Sequence, residues 1–279
     1  MIYRNKKLTV RRVLRGMRYR INKVKIYVDL KQVFRGTPLY RFLMIFLSFP
    51  FISTRKYLKP ILPEVNNQFA HAIERVLADI SIKKVVEIGA STGLGSTKLI
   101  IEKLLSRSDG KDLSIHLIEI SPIRAKSLEN LYGDLPFVAI LNKSTVTPRE
   151  HMKLSELLNF NYEYETKMRN KMIIRPLRWL REDLKYLERN PHLWNPTALE
   201  VIFDKMSPKE IDFALVDGGF CGFLDTQKLL GARYIALDDI NDAKNYLSFR
   251  MLSEHCNYEL IEHDLTYRNG YAIFRRVPV

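Results

Sequence analysis

Residues Lys84-Val-Val-Glu-Ile-Gly-Ala-Ser-Thr-Gly-Leu-Gly95 run a β-branched apolar stretch into a glycine-rich turn. Val85, Val86 and Ile88 have the character of a buried parallel strand, and Ser96 to Leu105 carries apolar residues at helical spacing. The order is strand, turn, helix. Gly89 and Gly93 lack a Cβ, so the turn can bend sharply and a nucleoside-bearing cofactor can lie against bare backbone, with helix-start amides facing it. The dinucleotide fingerprint G-x-G-x-x-G fails in both registers. From Gly89 the matching positions hold Ser91 and Leu94, and from Gly93 they hold Gly95 and Lys98. That spacing counts against an NAD-dependent enzyme.

Working outward, Ser114-Ile-His-Leu-Ile-Glu119 reads as the next strand, ending in a carboxylate that can accept both hydroxyls of a ribose. The alternative for Glu119 is a solvated strand-end carboxylate. Two further strands, Ile211-Asp-Phe-Ala-Leu-Val-Asp217 and Tyr234-Ile-Ala-Leu-Asp238-Asp239, each run into aspartate. In an open α/β sheet the carboxyl ends of the strands form the ligand crevice, so Asp217, Asp238 and Asp239 should meet beside the glycine turn. Three convergent carboxylates repel one another unless a cation sits among them, and all-oxygen ligation suits a divalent cation such as Mg²⁺. The competing reading has Asp238 capping the following helix and Asp217 simply ending a strand. Near the C-terminal end, Tyr258 to His263 and Tyr271 to Arg276 read as two antiparallel strands joined through the tight-turn signal Asn269-Gly270.

Together these residues resemble the class I methyltransferases that use S-adenosylmethionine (SAM). Glu87, Gly89, Ser91 and Gly93 match their acidic residue followed by G-x-(G/S)-x-G, and the closing hairpin matches their sheet edge. The resemblance implies an α/β, Rossmann-like sheet, mostly parallel with an antiparallel C-terminal hairpin, flanked by helices. It implies SAM held by Glu87, Gly89, Ser91, Gly93 and Glu119. Asp217, Asp238 and Asp239 are similar, position by position, to the metal ligands of catechol-type and macrocin-type O-methyltransferases. More narrowly, Asp212 to Arg276 resembles uncharacterised bacterial methyltransferase-like proteins associated with surface-polysaccharide assembly. The implied function is O-methylation of a glycan or a small polar metabolite, and the alternative is a catalytically degenerate fold serving as a membrane-surface scaffold. Phe220 stands where those families place a base. Asp217 and Lys244 are therefore the candidate catalytic residues, with Asp225 and His263 as further base candidates.

Charge is unevenly spread. Residues 1–60 hold 16 of the 45 lysines and arginines but only one of the 31 acids, Asp29, leaving the other 219 residues with 29 bases and 30 acids. The basic balance thus belongs to an N-terminal extension and argues against a nucleic-acid partner, since the proposed site is not itself basic. The extension includes Phe42-Leu-Met-Ile-Phe-Leu-Ser-Phe-Pro-Phe-Ile52, flanked by Arg41, Arg55 and Lys56. A helix needs ~20 apolar residues to span a bilayer, and Pro50 interrupts this one, so it reads as an interfacial anchor on an anionic membrane or as a segment folded onto the domain. No secretory pattern follows the charged start, which places the chain in the cytoplasm, with peripheral attachment at the inner face of the membrane through residues 1–60. Cys221 and Cys256 lack metal-site spacing and need no disulfide.

The expected division is 1–60 and a methyltransferase-like domain 61–279, with a helical insertion at about 142–210. Within the insertion, Arg178 to Leu187 reads as an amphipathic helix with Trp179, Leu180, Leu184 and Leu187 on one face, either a cap or a lid over the acceptor pocket.

Overall fold

Seven strands form one sheet: β1 (Lys84–Ile88), β2 (Ser114–Ile118), β3 (Val138–Leu141), β4 (Phe213–Val216), β5 (Tyr234–Asp238), β6 (Tyr258–Asp264) and β7 (Tyr271–Arg276). The computed structural model describes residues 67–277 except 108–111, 165, 167–172 and 267, together with Thr37, Pro38 and Ile45. The chain divides into two units, Met1–Leu47 and Ser48–Val279. Apart from Thr37, Pro38 and Ile45, the N-terminal extension and its expected anchor, Phe42 to Ile52, lie outside the described residues. Among the described residues no helix is long and apolar enough to cross a membrane.

The sheet order is β3-β2-β1-β4-β5-β7-β6. β1 to β5 pair in parallel, whereas β7 runs antiparallel to both β5 and β6. This is the Rossmann-like sheet with a closing antiparallel hairpin that the sequence leads one to expect. The chain leaves β1 toward β2 on one side and later returns to β4 on the other, so the crevice opens above the carboxyl ends of β1 and β4.

Both faces of the sheet are covered, which is why the central strands read as unbroken apolar runs. Val85, Phe213 and Leu215 point to one side and pack with α1 (Asn67–Leu77), α2 (Ser96–Leu105) and α3 (Pro122–Tyr132) through Ile73, Leu77, Ile100, Leu104 and Leu128. Val86, Ile88, Ala214 and Val216 point to the other side, toward Leu199 and Ile202 of α6 (Ala198–Phe203) and Leu252 of α8 (Tyr246–Glu254). Burying each large side chain contributes ~1.5–3 kcal/mol. A register irregularity between Leu260 and Glu262 interrupts the exposed edge strand β6, which blunts it against pairing with another chain.

Between β3 and β4 lie α4 (Leu154–Glu163), α5 (Ile174–Arg189) and α6, and α7 (Gly222–Lys228) follows β4. The amphipathic helix exists, but its face differs from expectation. Leu177, Leu180, Arg181 and Leu187 are buried, whereas Trp179 is 40% exposed with the Arg175 guanidinium 4.5 Å above its ring. Trp179 follows Arg178 and precedes Leu180, roughly 100° off the stripe set by Leu177, Leu180 and Leu187. The hairpin connection also differs: β6 ends at Asp264 and β7 starts at Tyr271, so Asn269 and Gly270 close a six-residue link rather than a two-residue turn. The extra length reaches back to β5, where Ile240 and Asn241 amides donate to the carbonyls of Gly270 and Asn269.

Candidate active site

The glycine turn is fastened from three directions. Gly89 and Ala90 amides donate to the Ile118 carbonyl at the end of β2, at 3.0 and 3.1 Å. From α3, Ser127 donates to the Thr92 carbonyl and Tyr132 to the Gly93 carbonyl. At Gly89 (φ +90°) an added Cβ would stand 2.3 Å from the Asp217 carbonyl oxygen, and at Gly93 (φ +83°) one would meet Leu128 and Tyr132 at 2.7 and 2.8 Å. The missing side chains therefore make room for β4 and α3, two neighbouring parts of the protein. Ser91 sits at the head of the turn with φ +54°.

Glu87 lies beneath this turn with no exposed surface. Its two oxygens accept from the Ser96 and Thr97 hydroxyls, at 2.5 and 2.7 Å, in the first turn of α2. Burial pushes its carboxyl up to about 7, against the pull of those two hydroxyls. Its part in the site is thus to hold the turn to the helix start. Glu119, beyond β2, is only 4% exposed, which removes the solvated strand-end alternative. It accepts from the Ser91 amide at 2.9 Å and the Ser121 amide at 2.7 Å, with Arg124 at 3.9 Å. Burial raises its carboxyl, and Arg124 and the amides oppose the rise. Glu119 and Ser91 thus form one hydrogen-bonded rim.

Across the crevice, Asp217, Asp238 and Asp239 bring carboxylate oxygens within 4.8 Å of one another. Asp217 follows β4 directly, and its amide donates to the Ile88 carbonyl at 2.9 Å, which ties it to β1. Asp238 accepts from the Asp239 amide at 2.9 Å, and the next helix starts only at Tyr246, so Asp238 caps no helix. Asp239 adopts φ +57°, a left-handed backbone costly for a non-glycine residue. Its carboxylate is gripped from both sides: Oδ2 accepts from the Lys244 ammonium, and Oδ1 accepts from Asn269 Nδ2 at 2.8 Å. Lys244 Nζ also lies 3.7 Å from Asp217 Oδ1, and both of those side chains are about one third exposed to the crevice.

The electrostatics follow from this packing. Loss of solvent raises Asp217 well above the usual carboxylate range, Lys244 opposes that, and the other two aspartates add to it. Burial and Asp239 push Asp238 up to about 6. Asp239 faces the same burial but is held low by Lys244 and Asn269. Burial disfavours the Lys244 charge, yet Asp217 and Asp239 raise its pKa above that of an ordinary lysine. Lys244 thus stands in the site as an ammonium donor.

The same geometry tests the divalent cation that the resemblance implies. The donor set is all oxygen and converges, as such an ion requires. The cationic position between Asp217 and Asp239, however, is held by Lys244, and N–H donors engage both oxygens of Asp239. As arranged, the trio fits an ammonium ion rather than a divalent metal.

Of the further base candidates, Asp225 is buried on α7, facing Thr145, and burial pushes its carboxyl up to about 7. His263 sits on β6, two strands out from β5, against Phe249. Neither joins the trio. Cys221 is partly buried, and burial raises its thiol, leaving it no thiolate character. Phe220, Cys221 and Phe223 line a cavity of about 370 Å³ whose other wall is Glu150, Phe160 and Tyr164 around α4. The residue that sequence reasoning missed is Asn245, fully buried, whose Nδ2 donates to the carbonyls of Val216 (2.9 Å) and Asp238 (2.7 Å). It clamps together the ends of the two strands that carry the acids. An asparagine ahead of a helix reads as a cap, and nothing in the local sequence separates that role from this one.

No protein-family model matches this chain, and no curated protein matches it. Among solved structures, it is similar to an O-methyltransferase described as putative from Klebsiella pneumoniae, at 12% identity, covering 90% of this chain and 94% of that one with a TM-score of 0.47. It is similar to an O-methyltransferase from Bacillus cereus in complex with SAH, at 10% identity over 92% and 100% of the two chains, TM-score 0.43. A third is an SAH-bound methyltransferase from Podospora anserina, at 13% identity over 91% and 94%, TM-score 0.40. All three structural neighbours are methyltransferases.

Proposed function

We propose that this protein is a SAM-dependent methyltransferase that methylates a hydroxyl on a glycan or another small polar metabolite. The observation that carries this reading is the pairing of two half-sites across one crevice. On one side stands the glycine turn, bonded through Ser91 to the buried carboxylate of Glu119 at 2.9 Å; on the other stands the Asp217, Asp238 and Asp239 cluster. Bound SAM would set its ribose at Glu119 and its methionine part along the turn, with its methyl group facing the acids. SAM held there would supply an electrophilic methyl on a sulfonium leaving group to an acceptor hydroxyl, with Glu119 and the turn holding the cofactor and the acids receiving the hydroxyl. The hydroxyl proton would pass to Asp217, whose backbone carbonyl packs against the turn at Gly89. Alignment does most of the work, because the sulfonium is already a good leaving group. We assign the acceptor's bulk to the cavity between α4 and Phe220 because Phe220 follows Asp217 by three residues.

A second reading of the acids, a divalent cation on Asp217, Asp238 and Asp239 that orients the hydroxyl, is favoured by their convergence within 4.8 Å. The occupancy of that position by Lys244 speaks against it.

Calorimetric titration of SAM and of NADH into the full-length protein tests the cofactor. SAM is expected to bind in the micromolar range, and NADH to give no heat. Heat from NADH alone, or from neither, would overturn the proposal; the latter would leave a binding-only scaffold at a membrane surface as the role of the fold.

A further inference from the structure

We infer that Lys244 is the resident cation of the acidic cluster and does by permanent attachment what a bound divalent ion would otherwise do there. This inference is independent of which reaction the crevice performs. Three facts carry it. The first is contact: Lys244 donates to Asp239 Oδ2 and stands 3.7 Å from Asp217 Oδ1, so one ammonium bridges the carboxylates that end β4 and follow β5. The second is how the lysine is held. Its neighbour Asn245 is fully buried and donates to the carbonyls of Val216 and Asp238, at 2.9 and 2.7 Å, so the backbone that presents Lys244 is fastened to both of those strands. The third is ligand availability. Mg²⁺ demands six oxygens in near-octahedral array, but both oxygens of Asp239 already face N–H donors, Lys244 and Asn269, and one oxygen of Asp238 faces the Asp239 amide. A divalent ion on this cluster would have to displace an ammonium already paired with Asp239 and Asp217.

A lysine ammonium has three donors. One is directed at Asp239, Asp217 lies within ion-pair range at 3.7 Å, and about a third of the side chain is exposed. Lys244 is accordingly a positioning residue for the carboxylates, and it cannot act as a base while it keeps its proton.

The test is Mn²⁺ titration of the full-length protein, followed by the electron paramagnetic resonance signal of the free ion and by calorimetry. The wild-type protein is expected to leave the signal unchanged into the millimolar range. Lys244→Ala is expected to take up one equivalent at least ~10-fold more tightly than wild type, a difference of ~1.4 kcal/mol. Adding Asp238→Asn to that variant should abolish the uptake, and Lys244→Arg should remain without it. One equivalent of Mn²⁺ bound by wild type and lost in Asp238→Asn overturns the inference. So does a Lys244→Ala protein with an unchanged circular dichroism spectrum that gains no Mn²⁺. Should Lys244→Ala fail to fold, the comparison of wild type with Asp238→Asn alone still decides.

Discussion

Gly89→Ala is the most exposing perturbation of this fold, because its cost can be worked from two separate contacts. At φ +90° an alanine backbone is strained, which costs ~1–3 kcal/mol. The new Cβ would also stand 2.3 Å from the Asp217 carbonyl oxygen and 2.7 Å from its carbon, both backbone atoms that no rotamer change can move. Relief requires the ends of β1 and β4 to part where the Asp217 amide donates to the Ile88 carbonyl. Weakening that buried bond adds ~1–3 kcal/mol. The total is ~2–6 kcal/mol in a fold whose whole stability is expected at ~5–15 kcal/mol. At ~2–4 °C per kcal/mol for a chain of this size, Tm should fall by ~4–24 °C. Urea unfolding followed by circular dichroism measures the free energy, and a thermal melt measures the shift. Gly219→Ala is the control: its Cβ would meet only an Asp183 oxygen, at 3.8 Å, an ordinary contact. If Gly89→Ala melts within ~2 °C of wild type, the close approach of the glycine turn to β4 is wrong.

Two other substitutions test the buried polar groups. Glu87 has its carboxyl lifted from 4.5 to about 7, so the stability its neutral form contributes is complete below 4.5 and lost as pH rises through about 7. At ~1.4 kcal/mol per pKa unit the decline is ~3 kcal/mol. Glu87→Gln should therefore gain on wild type in urea midpoints between about pH 5 and about pH 8, and parallel curves for the two proteins would refute the assignment. Asn245→Ala removes both clamps between β4 and β5 and leaves two strand-end carbonyls without their donor, for a loss of ~2–4 kcal/mol. A loss below ~1 kcal/mol would mean that the strand ends are held by something else.

The sheet was legible because its signal is local. Phe213 to Val216 and Tyr234 to Leu237 are unbroken apolar runs, Val85 to Ile88 is broken only by Glu87, and such runs ending in acids or glycines mark strands that deliver polar groups to one edge. The convergence of Asp217, Asp238 and Asp239 followed from topology alone. What topology does not carry is side-chain pairing at long range. That Asn269 reaches Asp239 across the sheet edge, and that Asn245 bridges β4 to β5, depends on loop paths that no periodicity encodes. The role of Lys244 was half visible. Its place near the acids could be anticipated, but whether it would act as base or counter-ion depends on the position of one nitrogen. Trp179 misled for a related reason: a large aromatic suggests a core, yet the stripe of Leu177, Leu180 and Leu187 leaves it facing Arg175.

The hydrogen bond from Asn269 to Asp239 also sets an order of assembly. The hydrogen bonds of the glycine turn come from residues between Glu87 and Tyr132, a stretch translated before β4 and β5. The acidic centre needs Asp217, Lys244 and Asn269 together, so its last tether is translated some 140 residues after Tyr132, the last support of the turn. The two sides of the crevice are thus built at different times, and a chain cut short between them would carry the glycine turn without the acidic centre that faces it.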